Sequence, residues 1–309
     1  MSDGRAGIVG VGNMGGRVAR RILDGGHALI AYDAAPEQLE RFGVSGAPSL
    51  VELVRETEIV LFSLPDSRVI ESVVFGDEGV LAACTPGQVV VDLSTASPRS
   101  TVRVSRAFLE QGVDFLDAGV SGGAAAAEAG SLTLIVGGSE QALERVRDLL
   151  ACFATRVYHM GSSGSGHTAK LLNNFLNGVG LAATAEVMVA ARKAGLDLRL
   201  LLEVLNHSSG VNFATLNRFP RIVEGDYLEG GMTGNLMLKD LRLYRDLVET
   251  LGVRTLNAQG CIATFELAAE LGYGEQISNR VVDALGDVSG GVRVSDTHAT
   301  AVNESEGAR

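Results

Sequence analysis

Gly7-Ile8-Val9-Gly10-Val11-Gly12-Asn13-Met14-Gly15 carries a short apolar run into a glycine-rich turn, and residues 16–23 continue it with helical spacing. Gly10, Gly12 and Gly15 hold the G-x-G-x-x-G spacing. The first glycine permits a tight turn, the second lets a pyrophosphate approach the backbone, and the third lets the helix pack on the strand. The helix N-terminus then offers its N–H groups to the phosphates. Gly10, Gly12, Asn13, Met14 and Gly15 are therefore candidate cofactor contacts.

Working outward, apolar runs recur at 28–32, 59–63, 89–92 and 115–117, with helical patterns at 50–56 and 99–110 between them. Continuous apolar strands alternating with helices predict a mostly parallel sheet covered on both faces, a doubly wound α/β Rossmann domain. A hairpin-like piece at 132–136, a helix at 140–150 and a run at 157–160 follow. From about 166 to 195 the apolar spacing is helical and longer than anything before it. Helices at 198–205, 236–251 and 257–271 come next, without strand alternation. The change falls at Gly161-Ser162-Ser163-Gly164. The expected domains are 1–162, dinucleotide-binding, and 163–290, all-helical. Residues 291–309, rich in Gly, Ser, Thr and charge, read as a disordered tail.

Composition excludes several classes. The formal net charge is -11 and no basic cluster is dense enough to follow a phosphate backbone, so nucleic acid is not an expected partner. Cys84, Cys152 and Cys261 lie far apart in apolar surroundings and read as reduced core residues; they fit neither a disulfide framework nor a zinc site, and no metal-ligand spacing is present. No basic n-region precedes an apolar h-region, and no uninterrupted apolar run has the length of a bilayer span. The expectation is a cytoplasmic protein with no membrane partner.

Asp33 ends the run at 28–32. A carboxylate at that strand end accepts hydrogen bonds from the adenosine ribose and repels a 2′-phosphate, and no Arg follows to pair with one, so NAD is expected over NADP. Leu64-Pro65 and Asp92-Leu93-Ser94-Thr95 also run from apolar strands into polar turns. In a doubly wound sheet such ends line the ligand crevice, where Leu64 and Pro65 suit a nicotinamide ribose and Thr95 offers a hydroxyl; a Thr at a strand end is also a common helix cap.

Lys170 and Asn174 stand four residues apart in an otherwise apolar helix and project from one face. Desolvation of a lysine favours the neutral amine that acid–base work requires, whereas a lone lysine at a helix start also reads as a snorkelling side chain. His167 reads as a capping or packing residue. Ser121-Gly122-Gly123 follows another strand end and makes a plausible carboxylate cradle, or a flexible glycine loop. Lys239-Asp240 has the look of a solvated surface pair.

Taken in order, Gly10–Gly15, Leu64-Pro65, Asp92-Leu93-Ser94-Thr95, Ser121-Gly122-Gly123, the Lys170–Asn173–Asn174 helix and Lys239-Asp240-Leu241 resemble the β-hydroxyacid dehydrogenase family over roughly residues 7–286. The resemblance implies a Rossmann domain followed by a helical domain that supports a homodimer or homotetramer. It implies that Lys170 is the catalytic acid/base, with Asn174 beside it in the substrate site. Ser121, Gly122 and Gly123 would bind the carboxylate of a small substrate. Leu64, Pro65, Thr95 and Lys239 would surround the cofactor, with Asp240 in support. The implied reaction is reversible NAD-linked oxidation of a small, 3-hydroxyisobutyrate-like β-hydroxy acid to its semialdehyde. A tartronate semialdehyde (2-hydroxy-3-oxopropionate) reductase is the near alternative, and a non-catalytic NAD-binding protein the distant one. Imine reductases share the architecture but lack the helix lysine. One departure stands out: the family's loop commonly reads Asp-Ala-Pro-Val-Ser-Gly-Gly, and Gly119 replaces the proline here, which is expected to loosen the loop.

Overall fold

Ile8 and Val9, Val60 and Leu61, Val90 and Val91, Phe115 and Leu116 are neighbours in sequence, yet each pair is buried on both sides. Successive strand residues point to opposite faces, so such pairs demand a sheet with a core on each face. The computed structural model describes residues 5–295 and shows that sheet. Its strands are β1 (Ala6–Val9), β2 (Leu29–Tyr32), β3 (Ile59–Phe62), β4 (Val89–Asp92), β5 (Asp114–Ser121), β6 (Leu132–Gly137) and β7 (Ala154–Gly161). They lie in the order β2-β1-β3-β4-β5-β6-β7. Every pairing is parallel except β5 with β6. A single parallel bridge, Ala31 to Gly46, extends the sheet beyond β2. One core joins Ile8, Val18, Ile22, Leu61, Val91 and Leu116, and the other joins Val9, Val60, Phe62, Val90, Phe108 and Phe115.

The strand order reverses at β1, which has β2 on one side and β3 on the other. The glycine turn leaves the carboxyl end of this strand, which is where open α/β sheets bind ligands.

The chain divides into two units, Met1–Leu171 and Leu172–Arg309. The division falls nine residues beyond the expected Ser162, because the first turns of the helix Ser165–Lys193 belong with the sheet. There Gly164 and His167 donate their backbone N–H groups to the Asp117 carboxylate. The second unit is helical, with Leu198–Asn206, Gly234–Thr250, Leu256–Glu270 and Val281–Val288 around a core that includes Met188, Phe219, Met237, Leu241 and Phe265.

Three expectations need correction. The helix Ser165–Lys193 is, by length and composition, long and apolar enough to cross a bilayer. Half of its most apolar stretch is buried inside the protein, and Leu181, Ala185 and Met188 belong to the second core, so it reads as a core helix. The tail does not begin at 291: Val294 is buried and its carbonyl accepts from Arg192 Nη2 at 2.6 Å. The rest of that call, 296–309, lies outside the described residues. The cysteines are free, but only Cys261 is fully buried, and burial pushes its thiol up to about 12.

Candidate active site

The turn after β1 is built from steric exclusion. Gly10 has φ +92°, a left-handed conformation that disfavours side chains, and a Cβ there would lie 2.3 Å from the Ser63 carbonyl oxygen. A Cβ at Gly15 would lie 2.0 Å from the Gly10 carbonyl oxygen, so the helix Gly15–Asp24 packs on its strand only without one. Gly12 differs: a Cβ there would meet no heavy atom within 4 Å. Packing does not require glycine at 12, and the bare backbone on that open side suits the approach of a pyrophosphate. The residues present thus fit a dinucleotide.

Asp33 does two things at once. Its Oδ2 accepts the Val11 N–H at 2.6 Å and its Oδ1 accepts the Ala35 N–H at 2.9 Å. The carboxylate therefore ties the end of β2 to the glycine turn. Each oxygen retains a lone pair for a further donor such as a ribose hydroxyl. Asn13 is bonded to Arg17, through both its carbonyl and its side-chain oxygen. Met14 caps the helix through its backbone rather than its side chain.

Along the same edge of the sheet, Leu64 follows β3 and donates its N–H to Ser94 Oγ at 2.9 Å, which ties the β3 and β4 ends together. Pro65 is exposed and Thr95 half-buried. Ser121 closes β5, paired with Thr133, and Gly122 (φ +127°) and Gly123 (φ +71°) turn the chain into the helix Gly123–Glu128. The carboxyl ends of β1 to β5 thus carry Gly10–Gly15, Asp33, Leu64-Pro65, Thr95 and Ser121–Gly123 in one row. Gly119 is not in a loop: it is an interior residue of β5, paired with Ile135, so the expected loosening does not arise there.

Beneath that row lies a buried polar cluster around Asp117, a residue given no role from the sequence. Asp117 is fully buried and accepts the N–H groups of Gly164 at 2.7 Å and His167 at 2.8 Å, capping the helix that bears Lys170. The His167 imidazole is buried with Nδ1 2.7 Å from Thr101 Oγ1, which is the packing alternative rather than the capping one. Lys170 itself is buried, at 7% exposure. No local pattern marks Asp117 as a cap, since its partners lie 47 and 50 residues away.

Asp92, at the end of β4, is buried as well, and accepts the Ser94 N–H at 3.0 Å. Burial pushes its carboxyl above the usual carboxylate range, against the opposing pull of His167 and Ser94. The folded state then keeps this proton to higher pH than the unfolded chain. Its stabilising contribution is complete in acid, below the unfolded pKa, and declines as pH rises through the folded one. Asp92→Asn has no proton to lose. Thermal unfolding from about pH 4 to about pH 7 should show the variant gaining on the wild type as pH rises. A gap independent of pH would contradict this.

In the second unit, Asn174 and Asp240 are buried, and Asn174 Nδ2 donates to Asp240 Oδ2 at 2.6 Å. Asp240 Oδ1 lies 3.2 Å from Lys239 Nζ. The Lys–Asp pair is therefore no solvated surface pair. Asp240 is 1% exposed and joins the lysine beside it to Asn174, 66 residues away. Sequence spacing within the helix Gly234–Thr250 does not distinguish an outward Asp from an inward one when the helix is lined by apolar residues on both sides of it.

Comparison with known proteins agrees with this layout. Residues 5–161 match the family described as the NAD-binding domain of 6-phosphogluconate dehydrogenase. Residues 164–285 match the one described as NAD-binding of NADP-dependent 3-hydroxyisobutyrate dehydrogenase. The chain is 35% identical to the NAD-dependent L-serine dehydrogenase of Pseudomonas aeruginosa, over 87% of this chain and 93% of that one. It is 31% identical to the 2-(hydroxymethyl)glutarate dehydrogenase of Eubacterium barkeri, over 93% and 96%. The solved structure of Mycobacterium tuberculosis 3-hydroxyisobutyrate dehydrogenase with L-serine superposes with a TM-score of 0.81 at 28% identity, covering 91% of this chain and 99% of that one.

Proposed function

Because the chain belongs to the β-hydroxyacid dehydrogenase family, a group of nicotinamide-dependent dehydrogenases, we propose that it oxidises a small β-hydroxy acid to its semialdehyde, reversibly, with NAD preferred. The observation that carries the proposal is Lys170: a buried lysine on a helix capped by Asp117, in the same unit as the glycine turn.

In this reading the neutral Lys170 amine takes the hydroxyl proton of the substrate and returns it in the reverse direction. The nicotinamide, when bound, supplies the acceptor for the hydride that leaves the same carbon. Ser121 and the backbone N–H groups of Gly122 and Gly123 hold the substrate carboxylate. Asn174, fixed by its bond to Asp240, hydrogen-bonds the substrate, while Lys239, steadied by the same Asp240, contacts the cofactor. Gly10, Gly12, Asn13, Met14 and Gly15 cradle the pyrophosphate, and Leu64, Pro65 and Thr95 flank the nicotinamide ribose. Asp33 supports the NAD preference, since a carboxylate there repels a 2′-phosphate.

Assembly into dimers or tetramers is part of the same proposal. Leu176, Leu200, Val204 and Phe213 of the second unit are exposed apolar side chains of the kind buried between subunits. The protein is proposed to work in the cytoplasm.

The test is a screen of NADH formation against small hydroxy acids, including 3-hydroxyisobutyrate, serine, glycerate and 4-hydroxybutyrate, each repeated with NADP. The mass of the active species is taken by gel filtration alongside. One β-hydroxy acid should stand clear of the panel, with a higher kcat/KM for NAD than for NADP. Turnover of none, or an NADP preference, would count against the corresponding part.

A further inference from the structure

The helix Gly15–Asp24 leaves the glycine turn with an arginine in its first turn. Arg17 stands four residues after Asn13. Its Nη1 donates to the Asn13 carbonyl oxygen at 2.7 Å and also to Asn13 Oδ1. The guanidinium is thus moored on the G-x-G-x-x-G stretch itself. It is moored next to Gly12, where a Cβ would meet no heavy atom within 4 Å.

Much of the donor capacity of Arg17 is unused. A guanidinium carries N–H groups on three nitrogens. Those of Nη1 go to Asn13, whereas Nε is buried and has no hydrogen-bond partner among the described residues. Glu128, the last residue of the helix Gly123–Glu128, brings Oε2 to 3.7 Å from Nε, which is beyond hydrogen-bond reach. The Glu128 side chain is 77% exposed and that of Arg17 only 23%. An ion pair so open to water holds its cation weakly. Other arginines of the chain are paired tightly: Arg103, Arg145 and Arg242 each meet a carboxylate at 2.7 Å.

Charge points the same way. Each phosphate of a dinucleotide brings a negative charge to the turn, where the Asp33 carboxylate already stands on the Val11 N–H. The helix N-terminus offsets roughly half an elementary charge. Arg17 adds a whole one. Resting on the dinucleotide reading of this turn, we infer that Arg17 is a further cofactor-binding residue: its guanidinium takes a pyrophosphate oxygen, and the Glu128 carboxylate competes for the same cation.

The experiment titrates NADH by fluorescence against the wild type, Arg17→Gln and Glu128→Gln, at about 0.05 M and about 0.5 M salt. At the lower salt Arg17→Gln is expected to weaken NADH by about 10-fold, the low end for a hydrogen bond to a charged group. Salt screens such a contact, so the gap from the wild type should narrow at the higher concentration. Glu128→Gln should act in the opposite direction and tighten NADH by about 2-fold at the lower salt. Wild-type binding in Arg17→Gln overturns the inference. So does an equal weakening at both salts, which marks an arginine that only keeps the turn in shape. Should Arg17→Gln fold poorly, the Glu128 variant decides, and unchanged or weaker binding there overturns the inference. The underlying reading fails separately. A wild type that binds no nicotinamide dinucleotide sinks it and this inference with it, whereas NADH bound equally by wild type and Arg17→Gln sinks this inference alone.

Discussion

Lys170→Ala should lower kcat by about 10²–10⁴-fold while NADH still binds, the range that loss of a positioned general acid or base produces. The expectation rests on the separation of tasks within the first unit. The glycine turn and Asp33 are held by contacts among β1, β2 and β3, none of which involves Lys170. Removing the lysine's amine therefore leaves the nucleotide-binding edge in place. Steady-state rates and NADH fluorescence on the same preparation separate the two tasks. A variant that binds NADH and turns over normally would remove Lys170 from the chemistry, and one that loses both would place it in binding.

The second large effect is on stability. Asp117→Ala deletes the acceptor of two N–H groups, those of Gly164 and His167, in a fully buried position. Each buried donor left without a partner costs about 1–3 kcal/mol, so the pair should cost about 2–6 kcal/mol, a large share of the roughly 5–15 kcal/mol that holds a typical domain together. Denaturant unfolding of the wild type and the variant measures the difference. Asp117→Asn keeps an acceptor oxygen and should lose less. Equal losses from Ala and Asn would mean that charge rather than acceptance matters, and no loss from either would mean that water replaces the carboxylate.

The parallel strands were legible because burial on both faces leaves a run of apolar residues with no polar alternation to confuse it. For the same reason β1 to β4 ended within two residues of their expected limits. The helices Glu37–Phe42 and Gly123–Glu128 were not legible, since the first buries no residue and the second is a run of alanines, so neither displays an apolar face. The antiparallel pairing of β6 with β5 agrees with the hairpin-like reading of 132–136. Lys170 stood out as a charge in an apolar helix. Asp117 and Asp240 did not, because their roles depend on partners 47 to 66 residues away, and no local pattern reports such distances. The boundary expected at Ser162 agrees with the two family matches, which divide at 161 and 164, whereas the contact division falls nine residues later. A helix has the same period whether its first turns rest on a sheet or stand free, and here the first turns rest on Asp117.

Asp33 bears on how such an enzyme changes its cofactor over evolutionary time, or in the hands of an engineer. The side chain that would discriminate between two nucleotides is also the one that accepts the Val11 N–H and holds the glycine turn closed. A mutation that admits a 2′-phosphate by deleting this carboxylate also unties the loop meant to receive it. The two traits are inherited together, so a successful switch requires a second change that supplies Val11 with a new acceptor. Single-step variants at 33 should be poor with both nucleotides, and the path from one preference to the other crosses a valley of weakened enzyme.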